Sequence, residues 1–157
     1  MKIIKGNLFD FAKEGYIVHQ VNCMNAMGSG FAREFAKRYP IVKSFYHNAF
    51  QSADGTTIEE KGKTLYGKVM GVEIQPNLYG CNSFTQFYFG NSAKTKKNYT
   101  DEELLVRNIL YVVKKAEEKG LNVYIPYGIG CDLAGGDWTV VEKGLNGYEN
   151  IIVVKLK

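Results

Sequence analysis

Strands and helices alternate along this sequence, and that order predicts an α/β domain with helices covering a central sheet. Three observations carry the prediction. Short β-branched apolar runs recur between segments of helical spacing; two loops of small residues each follow such a run; and 157 residues at 45% hydrophobic content suffice for one sizeable core. A single domain over 1–157 is therefore expected.

"KIIKGNLF" and "YIVHQVN" (16–22) read as the first two strands, and the second leads into the small-residue loop "CMNAMGSG". "GFAREFAKRYP" sets Phe31, Phe35 and Tyr39 on one helical face and stops near Pro40; "VKSFYHNAFQ" continues as a second helix. "DGTTIEEKGK" reads as a polar loop around Gly55 and Gly62. "GKVMGVEIQ" and "LYGCNSFTQFYF" follow as neighbouring strands joined at Pro76-Asn77. A long helix is expected from Thr100 as cap, with Glu103 three residues on and an end at Gly120. "LNVYIP" is then a buried strand delivering "YGIGCDLAGGDW", after which "WTVVEKGLNGY" makes a short helix and "NIIVVKLK" the last strand.

Composition narrows the function. Twenty basic and 16 acidic residues give a net charge of +4, well mixed apart from Lys94, Lys96 and Lys97. That mild excess suits either an anionic partner, including nucleic acid, or an ordinary solvated surface. Cys23, Cys81 and Cys131 are odd in number and lack metal-ligand spacing, so no metal site is expected, and reduced thiols in a cytoplasmic protein are the default. Neither a leader segment nor a membrane span is expected. His19, inside an apolar strand, reads as a core histidine.

The two small-residue loops carry the functional signal. In open α/β sheets ligands bind beyond the carboxyl ends of strands, where both loops would line one crevice. Glycine-rich turns with a helix starting just after present backbone amides to phosphate oxygens, and two such turns suit a diphosphate; the plainer reading is tight turns alone. Named nucleotide motifs fail. "KGKT" (61–64) has Thr57 where a P-loop needs glycine, and Arg33 and Leu133 stand where a dinucleotide fingerprint needs its third glycine.

"VNCMNAMGSGFAREFAKRYP" resembles the first ligand loop and helix of macrodomains, and "IPYGIGCDLAGGDW" is similar to their second, phosphate-cradling loop. The closing Asp-Trp resembles the branch containing ADP-ribose 1''-phosphate phosphatases and ADP-ribosyl hydrolases. The resemblance spans nearly the whole chain and implies a three-layer α/β/α macrodomain-like fold with a mixed central sheet. It implies that Asn7, with Leu8, stands at the base-contacting position, where the family has an acid. Asn22 and Asn25 match the asparagines of the first loop, with Asn25 near the distal ribose. Gly28, Ser29 and Gly30 match the turn against ribose and diphosphate, and Gln86 the glutamine strand. Ile129, Gly130, Cys131, Asp132, Leu133, Ala134, Gly135 and Gly136 match the phosphate loop, and Asp137 the carboxylate beside the scissile bond. No lysine stands at the position where some members of the branch use one as nucleophile: Gly90 and Asn91 lie there, with Lys94 displaced.

The resemblance thus implies a hydrolase acting on ADP-ribose 1''-phosphate or removing ADP-ribose from a macromolecule, protein or nucleic acid. Asp137 would activate water and Asn25 orient the ribose, without a cofactor. The alternative is a module that binds ADP-ribose or another NAD-derived nucleotide without turnover. Plainer roles stand beside these: Asp137 as a helix cap, Asn22 and Asn25 as turn formers, Trp138 as core packing, and Cys23 and Cys131 as small packing residues.

Overall fold

The computed structural model describes residues 1–157. β1 (Lys2–Lys5) is followed by a short α1 (Leu8–Phe11) and by β2 (Gly15–Asn22); α2 (Gly30–Arg38), α3 (Pro40–Ser52) and α4 (Ile58–Leu65) come next. β3 (Val69–Gln75) and β4 (Leu78–Gln86) precede a one-turn α5 (Ser92–Thr95) and the long α6 (Glu102–Glu118). β5 (Val123–Pro126), α7 (Trp138–Leu145) and β6 (Ile151–Lys155) complete the chain.

The six strands form one sheet in the order β1-β6-β5-β2-β4-β3. Every neighbouring pair is parallel except β3 with β4, so the sheet is mixed. Alternate residues of each strand feed opposite layers, as the pleat demands. Tyr16 and Val18 of β2 pack with Leu105, Ile109 and Val113 of α6 and Leu145 of α7. Ile17 of β2 packs with Phe35 of α2 and Val42 of α3, and Val21 with Tyr46 and Phe50 of α3. Helices therefore cover both faces, the three-layer α/β/α arrangement the sequence predicts.

Three local expectations are corrected. The polar stretch 58–65 is helical: Thr57 Oγ1 accepts from Glu60 N at 3.1 Å, and the Glu60 carboxylate returns to Thr56 N at 3.3 Å. This is a capping arrangement that satisfies free amides at a helix start. Its Gly62 lies against the Cys23 carbonyl, which an added Cβ would meet at 2.6 Å, so that glycine serves close packing. Asp101, not Thr100, caps α6, because the Thr100 hydroxyl is committed to the carbonyl of Gly130. α1 had no counterpart among the expected elements; Asn7 caps it through Phe9 N at 2.9 Å.

Candidate functional site

All four inner strands end at one crevice. Asn22 of β2, Gln86 of β4, Pro126 of β5 and Lys155 of β6 line a cleft of about 1140 Å³, joined by residues of both small-residue loops. That is the position at which α/β sheets of this class hold ligands.

Asn22 organises the first loop. Its Nδ2 donates to the Ala26 carbonyl at 2.6 Å, and its Oδ1 accepts from Met24 N and from the Tyr46 hydroxyl, both at 2.9 Å. The same hydroxyl accepts from Ala26 N at 3.1 Å. The carboxamide is thus spent on holding the turn, the plainer of its two roles. The loop delivers Gly28, Ser29 and Gly30 to the cleft at the head of α2. Ser29 makes no side-chain cap, so the amides there remain free and the positive end of the helix dipole faces the cleft. Gly30 takes φ +57°, and a Cβ at Gly28 or Gly30 would project into open space.

The second loop, from Tyr127 to Gly136, is tethered from behind. Ser92 N donates to the Leu133 carbonyl at 2.8 Å and Tyr99 N to that of Ala134 at 2.7 Å, while Gly136 N reaches Gly130 O at 2.9 Å. Gln20 Nε2 donates to Thr100 Oγ1 at 2.9 Å and to Gln86 Oε1 at 3.2 Å, and Thr85 donates to Gln20 Oε1. Gly130, at φ +73°, lies against Gln20 and Thr100 so closely that a Cβ would stand 3.0–3.1 Å from them. These bonds leave the amides of Gly128, Gly130, Asp132, Leu133 and Ala134 without a protein acceptor, and all five residues line the cleft. The same cleft is lined by Gly28, Ser29 and Gly30, whose amides are also free. Two sets of donors in one crevice form a surface for a multiply charged anion.

Toward β1 and β6 the lining changes character. Asn7, Leu8, Phe9, Phe31 and Val154 line it there, with Phe9 and Phe31 stacked at 5.6 Å. Asn7 Oδ1 already accepts from Phe9 N. Tyr127 is 39% exposed beneath the Lys155 ammonium, 4.5 Å from its ring, and Trp138 supports it from behind at 4.9 Å. The indole bonds Glu142 at 3.0 Å, so Trp138 acts as packing rather than pocket wall. Lys37 and Arg38 of α2 also line the cleft.

The remaining site residues named from the sequence divide. Ile129, Gly130, Asp132, Leu133 and Ala134 are in the lining; Asn25, Cys131, Gly135, Gly136 and Asp137 are not. Asn25 adopts φ +59° and its Oδ1 meets His47 Nδ1, which ties the first loop to α3. A Cβ on Gly135 would strike Ser92, not a ligand. Asp137 caps α7 by accepting from Thr139 N at 3.0 Å, and its own N–H donates to Glu102 at 2.9 Å. Its exposed carboxylate belongs to an adjoining cavity of about 940 Å³, with Phe89 common to both cavities.

Neither loop thiol sits where a thiolate is favoured. Burial pushes Cys23 up to about 12; burial, then Glu102 and Asp137, push Cys131 to about 12. Gly90 lines the cleft, and none of Lys94, Lys96 and Lys97 does. No group of three or more histidines, cysteines or carboxylates could hold a metal. No helix is long and apolar enough to cross a membrane.

Sequence reasoning missed Gln20, Thr100 and Tyr46, the side chains that hold the loops. Only Gln20 left a signal: it is a polar residue on an apolar strand two positions before the loop asparagine.

No family model matches the chain. An uncharacterised 17.5 kDa protein of Enterobacteria phage T4 is 28% identical over 153 residues, spanning 96% of this chain and 90% of that one. An ADP-ribose 1''-phosphate phosphatase of Saccharomyces cerevisiae is 27% identical over 142 residues, 81% of this chain and 75% of that one. One of the same name from Aspergillus oryzae is 35% identical over 51 residues, 32% of this chain and 25% of that one. Among solved structures, a Bacteroides thetaiotaomicron protein of unknown function superposes with a TM-score of 0.79 at 21% identity, covering 99% of this chain and 97% of that one. A Streptomyces coelicolor macrodomain protein gives 0.72 at 20% identity, with 99% and 97% covered. The Thermosipho africanus DarTG structure in complex with ADP-ribose gives 0.67 at 16% identity, with 100% of this chain and 42% of that one covered. Sheet order, paired loops and these likenesses agree: this chain has the macrodomain fold.

Proposed function

We propose that the cleft binds ADP-ribose or a derivative, and that the protein hydrolyses a substituent carried on the distal ribose. The observation that carries the binding half is the double set of free amides, Gly28 to Gly30 and Gly128 to Ala134, at one end of a cleft whose other end is apolar and aromatic. A diphosphate fits the first and a flat heterocycle the second. The phosphatase name of the fungal relatives and the ADP-ribose complex of a structural neighbour support the same reading.

Turnover rests on carboxylates at the glycine-loop end. Asp132 lines the cleft and Asp137 stands at the head of α7, one oxygen spent on the cap and the other uncommitted. Either would draw a proton from water as the water oxygen bonds to phosphorus or to the anomeric carbon; the bond from that atom to the bridging oxygen breaks, the departing oxygen keeps the electron pair and takes a proton in turn, and the loop amides offset the developing negative charge, with neither thiolate nor lysine. Phosphate release from ADP-ribose 1''-phosphate tests it. Loss in Asp137→Asn, which keeps the cap, assigns the base to Asp137; loss in Asp132→Asn alone moves it into the cleft. Binding without release by the unaltered protein favours the second reading, a non-catalytic ADP-ribose module, to which the placement of Asp137 outside the lining already inclines.

A further inference from the structure

One polar pair in the sheet is incomplete. His19 of β2 and Asn82 of β4 are register partners, each 1% exposed, joined by His19 Nε2 and Asn82 Oδ1 at 2.6 Å. His19 Nδ1 and Asn82 Nδ2 have no partner at all. A buried polar atom left unpaired costs stability, and in a native fold it points to a missing group.

His19 is also part of the cleft lining, at its apolar end. Its ring meets Phe31 edge-on at 6.0 Å and Phe35 at 4.9 Å, and Phe31 in turn stacks on Phe9. We propose that His19 determines base specificity: its Nδ1 accepts a hydrogen bond from the exocyclic amino group of a 6-aminopurine seated beside Phe9 and Phe31. This rests on the cleft being the nucleotide site proposed above.

The polarity follows from the partner. With Asn82 presenting its Oδ1, Nε2 donates the proton of that bond, and a neutral ring then has a bare Nδ1. The ring is neutral because burial lowers its pKa to about 4, the Asn82 bond opposing only in part. A bare nitrogen welcomes an amine and rejects a carbonyl at the same place. Asn7 offers less discrimination, since its oxygen already serves Phe9 N and its amide nitrogen can face a carbonyl equally well. Nδ1 has no solvent contact, so the base reaches it only as the packing around the ring opens.

The test is paired titration of the protein with ADP-ribose and with its hypoxanthine analogue, which carries a carbonyl in place of the amine. The wild-type protein should prefer ADP-ribose by about tenfold, the order expected of one hydrogen bond exchanged for an unpaired acceptor. His19→Phe should erase that preference. On the wild-type protein, which avoids any folding defect of the variant, the ¹⁵N resonance of His19 Nδ1 should move upfield with ADP-ribose and stay in place with the analogue. Equal affinities, or a stationary resonance, overturn the assignment of His19 alone. Failure of both nucleotides to bind overturns it together with the cleft reading.

Discussion

The two ligand loops present the same chemistry and are built in opposite ways. The first is held at its root by one carboxamide, Asn22, which bonds two residues of the loop, and is braced by Tyr46 and His47 of α3; its free amides gain a helix dipole behind them. The second is held from outside, by Ser92, Tyr99 and Thr100 of a neighbouring segment and by Gln20 beneath. The first loop therefore depends most on one internal side chain, Asn22, and the second spreads its support over many backbone and side-chain bonds. The lesson is that glycine content alone does not make an anion site; what matters is which bonds leave the amides unspent.

Breaking the shared chemistry should have the largest effect. Gly28→Glu puts a carboxylate into the cleft at a position where a Cβ meets nothing within 4 Å, so the fold is spared. Like-charge repulsion with a diphosphate should weaken ADP-ribose binding by about a hundredfold or more. Calorimetry with a melting control checks this, and unaltered affinity in the folded variant would remove the anion cradle.

Asn22→Ala separates the loops next. It strips the first loop of its internal bonds and should cost about 1–3 kcal/mol of stability together with about tenfold in affinity. Thr100→Val removes the hydroxyl behind Gly130 with little change of shape. Because Ser92 N and Tyr99 N still hold the second loop, its affinity loss should be only a few-fold, with about 1–2 kcal/mol lost from stability. Should Thr100→Val weaken binding more than Asn22→Ala does, the contrast between the loops is wrong.

The smallest expected effect on stability is that of Asp137→Asn, since asparagine caps a helix about as well as aspartate does; Asp137→Ala should cost about 1 kcal/mol. Denaturant midpoints for the two variants separate the cap from any role of the charge in turnover.

Much of the fold was legible because hydrophobic period and loop chemistry agreed: "YIVHQVN" alternates faces as a strand should, and its loop opens a helix whose Phe31 and Phe35 fall on one side. Residues 58–65 failed because Gly62 and the charged composition outweighed the Thr57–Glu60 cap, a signal present in the sequence. Thr100 was misread as a cap because its real partner, Gly130, lies thirty positions away and only the tertiary fold brings them together. Within the site, the glycine loops were legible as amide donors, but which glycines face a ligand was not. Gly135 lies against Ser92 and Gly130 against Gln20 and Thr100, whereas Gly28 and Gly30 open onto free space in the cleft, and no local pattern separates them. His19 read correctly as buried, yet its orphaned nitrogen and its place in the cleft emerge only from the pairing of β2 with β4.

The central claim is that the free amide sets of the two loops bind the diphosphate of ADP-ribose. Calorimetric titration of ADP-ribose into the wild-type protein and into Gly28→Glu tests it most directly. One-site binding to the first and about a hundredfold weaker binding to the second is the result the geometry predicts. No binding to the wild-type protein, or equal binding to both, would contradict it.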